Sequence, residues 1–198
     1  MAIAASVADN LELMLDVVWQ HLDRGVADRA AAMHQPVVAT MDATGPAARV
    51  MVLRAADRTR HTLRFHTDRR AGKVAAMTLD PRVAIVAYDA ETRVQLRLGG
   101  RAAELDAAAS EAIWSGIDSL GRRSYRTTAA PGSLLAVAGS GLPDNVASTP
   151  LGELGRENFM ALEITLDSIE WLLLAHSGHR RARHNRDGDV WHGCWLVP

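Results

Sequence analysis

Apolar residues recur at helical spacing in the first part of the chain and alternate with polar ones after residue 36, so the period changes from 3.6 to two. Leu11, Leu15, Val18 and Leu22 give one buried stripe and predict a helix over about 6–24. Ser6 and Asp9 have the spacing of a capping box at its start, and Gly25 is expected to end it. The Ala-rich segment up to His34 reads as further helix. From Pro36 onward, Val37–Met41 is a predicted strand and Asp42-Ala43-Thr44-Gly45-Pro46 its turn. Strands are expected near 48–55 and 62–67, then a helix near 70–79 with Val74, Met77 and Thr78 inward. Strands over about 82–88 and 93–104 flank the hairpin Asp89-Ala90-Glu91-Thr92. Asp106 opens an Ala-rich helix, and a second helix is expected over Leu120 to Thr127. Residues 131–156 are rich in Gly, Ser and Pro and read as loop. Strands return at 158–166, 168–174, 179–184 and 189–196, with turns at Asp167-Ser168 and Asp187-Gly188.

Two blocks of strands separated by helices suit a mainly β fold with flanking helices, a small antiparallel barrel with helices outside it. The 198 residues suffice for one domain with a proper core, and no linker divides them. The expected organisation is a single domain over 1–198, with the barrel over about 35–198 and an insert over about 106–156. Apolar and charged fractions of 48% and 23% are ordinary for a globular protein. A net charge of -1 gives no global attraction to nucleic acid or to an anionic membrane. One cysteine, Cys194, excludes an intramolecular disulfide and a Cys-based metal cage. Met1 to Ser6 lack a basic and then apolar leader, and no window approaches about 18 uninterrupted apolar residues, so the expected compartment is the cytoplasm.

Chemistry concentrates around residues 49–73. Alternation puts Arg49, Met51 and Leu53 on one face and Val50, Val52 and Arg54 on the other, with a cation at each end of the run. Thr67 or Asp68 is expected to cap the next helix, which places Lys73, the only lysine of the chain, near a helix N-terminus. Arg49, Thr67, Lys73 and free backbone N–H groups are what a phosphate dianion needs. Gln95 lies inside the apolar run Val94-Gln95-Leu96-Arg97-Leu98, where an amide is costly to bury without partners. Its mixed donors and acceptors suit the polar edge of a flat heterocycle. His176 and His179 sit among Ser, Gly and Arg without carboxylate partners at ligand spacing, so no metal is expected.

Several motifs occur in the order of a known family: Arg49 to Arg54 (family form Arg-x-Val-Leu-Leu-Lys/Arg), Phe65-His66-Thr67-Asp68 with Lys73, and Asp80-Pro81. Tyr88-Asp89, Arg93 to Gly100, Trp191 and the ending Trp195-Leu196-Val197-Pro198 follow. The set resembles the FMN-binding split-barrel family typified by pyridoxamine 5'-phosphate oxidase, as a diverged branch of it. The resemblance implies a split barrel, a homodimer with FMN at the subunit interface, and an oxidoreductase acting on a small molecule. It assigns Arg49, His66, Thr67 and Lys73 to FMN and its phosphate, Val50, Met51, Val52 and Leu53 to the ring through their backbone, and Gln95 to the pyrimidine edge. Ser133 and Arg183 would add FMN contacts. Arg54, Arg122, Arg123, Tyr125 and Arg181 are the candidates for the substrate. The family's basic residue before the lysine is Gly72 here, with Arg69 or Arg70 able to replace it. The Arg-x-His pair of the oxidase is not matched cleanly by His179, Arg180 and Arg181. The loop from Gly139 to Asn145 resembles the less-characterised branch. The alternatives are the authentic oxidase, or a non-enzymatic flavin- or haem-binding split barrel with a ligand among His176, His179 and His184.

Overall fold

The computed structural model describes residues 3–143 and 154–198. Its centre is an antiparallel sheet of nine strands among the described residues. They are β1 (Val37–Asp42), β2 (Gly45–Val50), β3 (Leu53–Asp57), β4 (Thr62–Asp68), β5 (Arg82–Asp89), β6 (Val94–Glu104), β7 (Phe159–Leu173), β8 (Arg180–Asp187) and β9 (Val190–Leu196). Hydrogen-bonded neighbours run β2-β1-β5-β6-β7-β4-β3, and β8 and β9 branch from β7. β2 and β3 end that path on opposite sides, yet Met51 and Val52 alone join them along the chain. The covalent link draws the two edges together and rolls the sheet into a barrel with its seam there. The single strand expected over 48–55 is therefore two strands, with different partners. Alternating burial survives the break: Met51 and Leu53 are buried, while Val50 and Arg54 are exposed.

The barrel interior is packed by Leu53, Phe65, Ile85, Leu96, Leu162 and Trp171, all fully buried. β6 and β7 pair along their length with one register shift at Gly99/Gly100. A Cβ on Gly99 would lie 2.4 Å from Ser168 Oγ, and one on Gly100 2.4 Å from the Thr165 carbonyl oxygen. Glycine is what lets the two backbones approach so closely. The expected turn at Asp167-Ser168 is consequently an irregularity inside one strand, because the partner ladder on β6 continues past it. The turn at Asp187-Gly188 is present, with Gly188 at φ +58°.

The helices are α1 (Ala5–Ala8), α2 (Leu11–Ala27), α3 (Gly72–Leu79), α4 (Ala107–Ser115) and α5 (Ser119–Arg123). The capping box expected at Ser6 and Asp9 does not start one long helix. The chain breaks at Asp9-Asn10, and the Asn10 side chain caps α2 by accepting from Leu13 N at 3.0 Å. Gly25 lies inside α2 rather than ending it, since a Cβ there would stand 2.7 Å from the Met33 carbonyl carbon of the returning chain. That return is turn and a short 3-10 segment, Ala32–His34, in place of the expected helix. Asp106 caps α4 as expected, accepting from Ala109 N at 2.8 Å. α5 ends at Arg123, short of Thr127. Trp114 of α4 packs on Phe159 and Ala161 of β7 in a second apolar cluster that seats the insert on the barrel wall.

Candidate functional site

Arg49 pairs in register with Val38, so its side chain lies on the inner face with Val38 and Thr40. Its Nη1 donates to Thr40 Oγ1 at 2.8 Å and to the Val38 carbonyl at 3.3 Å. Thr67 is buried near the end of β4, and Lys73 Nζ donates to its Oγ1 at 3.0 Å. Lys73 stands in the first turn of α3, which packs on β1. Burial first, and the Arg49 charge second, hold its amine below the ordinary lysine range, with Asp68 opposing them. Neither Arg49 nor Lys73 forms an ion pair with a carboxylate among the described residues. Asp68 is committed to Arg70, whose Nε and Nη2 donate to it at 3.0 and 2.7 Å. Two half-buried cations, each backed by a hydroxyl and neither in an ion pair among the described residues, are a donor set suited to an anion.

The local geometry differs from the sequence expectation in two ways. The N-cap of α3 is Ala71, without a side-chain bond; Asp68 instead accepts from Arg70 N at 2.8 Å, so neither Thr67 nor Asp68 caps the helix. Arg69 and Arg70 do not stand in for the missing basic residue at Gly72. Arg69 donates to Glu104 at 2.8 Å, and Arg70 is held by Asp68 and by the Thr127 carbonyl and hydroxyl at 3.0 and 2.9 Å.

On the opposite face of β4, Arg64 and His66 point away from the barrel core. With Arg54 they form one wall of a cleft of about 520 Å³; Ile113, Ile117, Asp118 and Tyr125 from the insert form the other. His66 meets Phe159 edge-on at 5.1 Å, and Tyr125 meets the same ring at 5.2 Å. Burial, then the Arg54 and Arg64 charges, lower the His66 pKa to about 4, so the imidazole is neutral at pH 7. Burial pushes the Tyr125 hydroxyl up to about 12 and keeps it protonated. His66 Nε2 and Arg64 Nε are buried without a hydrogen-bond partner. Arg64 and Thr40 escaped the sequence reading. The signal for Arg64 was present: alternation puts it on the same face as His66, opposite Leu63 and Phe65.

A third group lies on the outer face of β6, β7 and β8. The Glu170 carboxylate accepts from Arg181 at 2.7 Å, Arg183 at 2.8 Å and Arg97 at 3.1 Å. Its own burial raises the Glu170 pKa, but the bonds from Arg183 and Arg181 and the charge of Arg97 outweigh that and lower it. Gln95 is half-buried on this same face. β1 and β5 separate this group from Arg49, and the side chains face opposite sides of the sheet.

The remaining candidates are scattered. Met51 N–H is committed to the Pro36 carbonyl at 3.0 Å, Leu53 is buried opposite Phe65, Val50 is exposed and Val52 half-buried at the seam. Arg122 lies over the Trp114 ring at 4.8 Å and donates to the Trp114 carbonyl at 2.8 Å, while Arg123 is exposed. Ser133 is exposed in the loop after α5. His176 and His179 are exposed, and His184 is buried against the Leu11 carbonyl at 3.2 Å. Asp144 and Asn145, the end of the loop that resembles the less-characterised branch, lie outside the described residues.

Comparison with known proteins bears on the fold. Residues 16–106 match the family model described as pyridoxamine 5'-phosphate oxidase, FMN-binding domain. No curated protein matches the chain significantly. Among solved structures, a pyridoxamine 5'-phosphate oxidase-related, FMN binding protein from Nostoc punctiforme superposes with a TM-score of 0.72 at 22% identity, covering 92% of this chain and 96% of its own. PhzG from Burkholderia lata, solved with tetrahydrophenazine-1-carboxylic acid, gives a TM-score of 0.76 at 20% identity, covering 99% and 98%. Residues 16–106 are thus similar to the FMN-binding domain of the pyridoxamine 5'-phosphate oxidase family, and the described fold is shared with these two solved structures.

Proposed function

We propose that the protein is an FMN-dependent oxidoreductase acting on a small molecule bound in the cleft between β3–β4 and the insert. The observation that carries this reading is that Arg49 and Lys73, bonded to the Thr40 and Thr67 hydroxyls, both lack an ion pair with a carboxylate among the described residues. That donor set fits the phosphate of FMN, which when bound supplies a hydride-accepting ring. Arg49 and Lys73 neutralise the phosphate, and the bound anion would raise the depressed Lys73 pKa. Gln95 offers an amide to the pyrimidine edge, with Arg183 and Arg181 on the same outer face.

That outer-face group and the Arg49–Lys73 group do not converge within one chain. A second copy of the chain laid on the outer sheet face would bring them to one flavin, so a homodimer with FMN at the interface is part of the proposal. Arg54 and Tyr125 take the substrate, while Arg122 holds the end of α4 instead of reaching into the cleft. With Arg122 so committed and Arg123 exposed, the cleft favours an unidentified small molecule over pyridoxamine 5'-phosphate. The expected compartment remains the cytoplasm; among the described residues no helix is long and apolar enough to cross a membrane.

The test is titration of the purified protein with FMN, followed by flavin fluorescence, in the native sequence and in Arg49→Ala and Lys73→Ala. Quenching that weakens in both variants supports the assignment, and equal affinity in all three proteins removes it.

A further inference from the structure

Resting on the assignment of the cleft as the substrate site, we propose that it binds the carboxylate of a flat aromatic acid and that Arg64 is the anchoring residue. Arg64 stands directly across from Glu163 on β7, where an opposite-charge pair would ordinarily form. Glu163 turns elsewhere: it accepts from Arg60 Nη2 at 2.8 Å and Thr62 Oγ1 at 3.3 Å. Arg64 is left half-buried, with no ion pair among the described residues and with a buried, unpartnered Nε. A guanidinium that lines a cleft without a carboxylate partner is the natural complement of a ligand's anionic oxygen. Arg54 lines the same wall and also lacks an ion pair among the described residues. Arg54, Arg64 and His66 line the same cleft.

The remaining lining narrows the ligand. The neutral imidazole of His66 adds a hydrogen-bonding nitrogen but no charge. Asp118 lies on the facing wall, its Oδ1 accepting from Gly121 N at 2.7 Å. Arg54 and Arg64 against Asp118 leave one net positive charge, which suits a monoanion better than a phosphate dianion. Guanidinium forks match the planar geometry of a carboxylate. Ile113, Ile117 and Tyr125 give an apolar wall against which a flat ring can lie, and about 520 Å³ accommodates a fused ring system.

The probes are 2-naphthoate and 2-naphthyl phosphate, which share one ring and differ in head group. Equilibrium dialysis at pH 7.5 would measure their binding to the protein as isolated and after saturation with FMN. Naphthoate is expected to bind more tightly than the phosphate. Arg64→Met should weaken naphthoate about ten-fold or more, the loss of one charge-assisted bond, and Arg64→Lys should recover only part, because an ammonium makes no fork. FMN affinity and thermal unfolding should stay native in both variants. Tighter binding of the phosphate, no binding of naphthoate, or naphthoate affinity indifferent to Arg64 would overturn the proposal. Failure to bind FMN together with Arg64-dependent naphthoate binding would remove the flavin reading and leave this one standing.

Discussion

Burial, and then the Arg49 charge, disfavour the charged form of Lys73, and a bound anion would relieve that. Each charge-assisted contact is worth about 1.5–3 kcal/mol, so Lys73→Ala and Arg49→Ala should each weaken FMN about ten-fold or more in a fluorescence titration. His66 carries a second prediction. Its pKa is about 4 in the folded protein against 6.5 in the unfolded chain, so the unfolded chain takes up the proton first as pH falls. The contribution to stability is present above about pH 6.5 and is lost progressively down to about pH 4. Thermal unfolding across that window should depend less steeply on pH in His66→Gln; His21 and His184, also lowered by burial, keep part of the slope. An unchanged slope would mean that His66 is not buried as described. Arg49 and Lys73 were legible in the sequence because a cation at a strand end and one near a helix start mark themselves locally. The engagement of Arg70 with Thr127 was not, since the two residues are 57 positions apart.

At the scale of elements, alternation predicted β5 and β6 to within about a residue, because both have one wet and one dry face. Local pattern failed where a distant partner decided the outcome. Asp167-Ser168 has the composition of a turn, yet pairing with β6 carries β7 through it, and the irregularity falls at Gly99-Gly100. Gly100→Ala would place a methyl 2.4 Å from the Thr165 carbonyl oxygen, a clash that should cost about 1–3 kcal/mol in a denaturant melt. Full native stability would show that the strands do not cross so closely. The insert is tied to the barrel by Trp114 packing on Phe159 and by Arg70 reaching Thr127. Arg70→Met should therefore speed amide hydrogen exchange over residues 119–128 while leaving β4 and β7 protected. Unaltered exchange there would show that the aromatic packing suffices alone.

For the whole molecule, closure of the barrel depends on the seam at Met51-Val52, where unbroken alternation across 49–54 concealed a change of partner strand. The outer face beside the seam is unusual for a solvent-facing sheet. Val50, Val37 and Val86 follow one another in register across β2, β1 and β5 and are exposed by 59%, 39% and 38%. In the proposed homodimer this apolar face would be the contact surface, and the second copy would link the Arg49–Lys73 group to the Gln95 and Arg183 group. Val50→Lys should lower the mass measured by light scattering toward that of one 21.4 kDa chain and weaken FMN in parallel. A monomeric variant with native FMN affinity would place the whole flavin site in one chain. The most direct test of the central claim is the titration of the purified protein with FMN, with Lys73→Ala alongside. The expected result is quenched flavin fluorescence at stoichiometric FMN and an affinity about ten-fold or more weaker in the variant; free-flavin fluorescence at every protein concentration would contradict it.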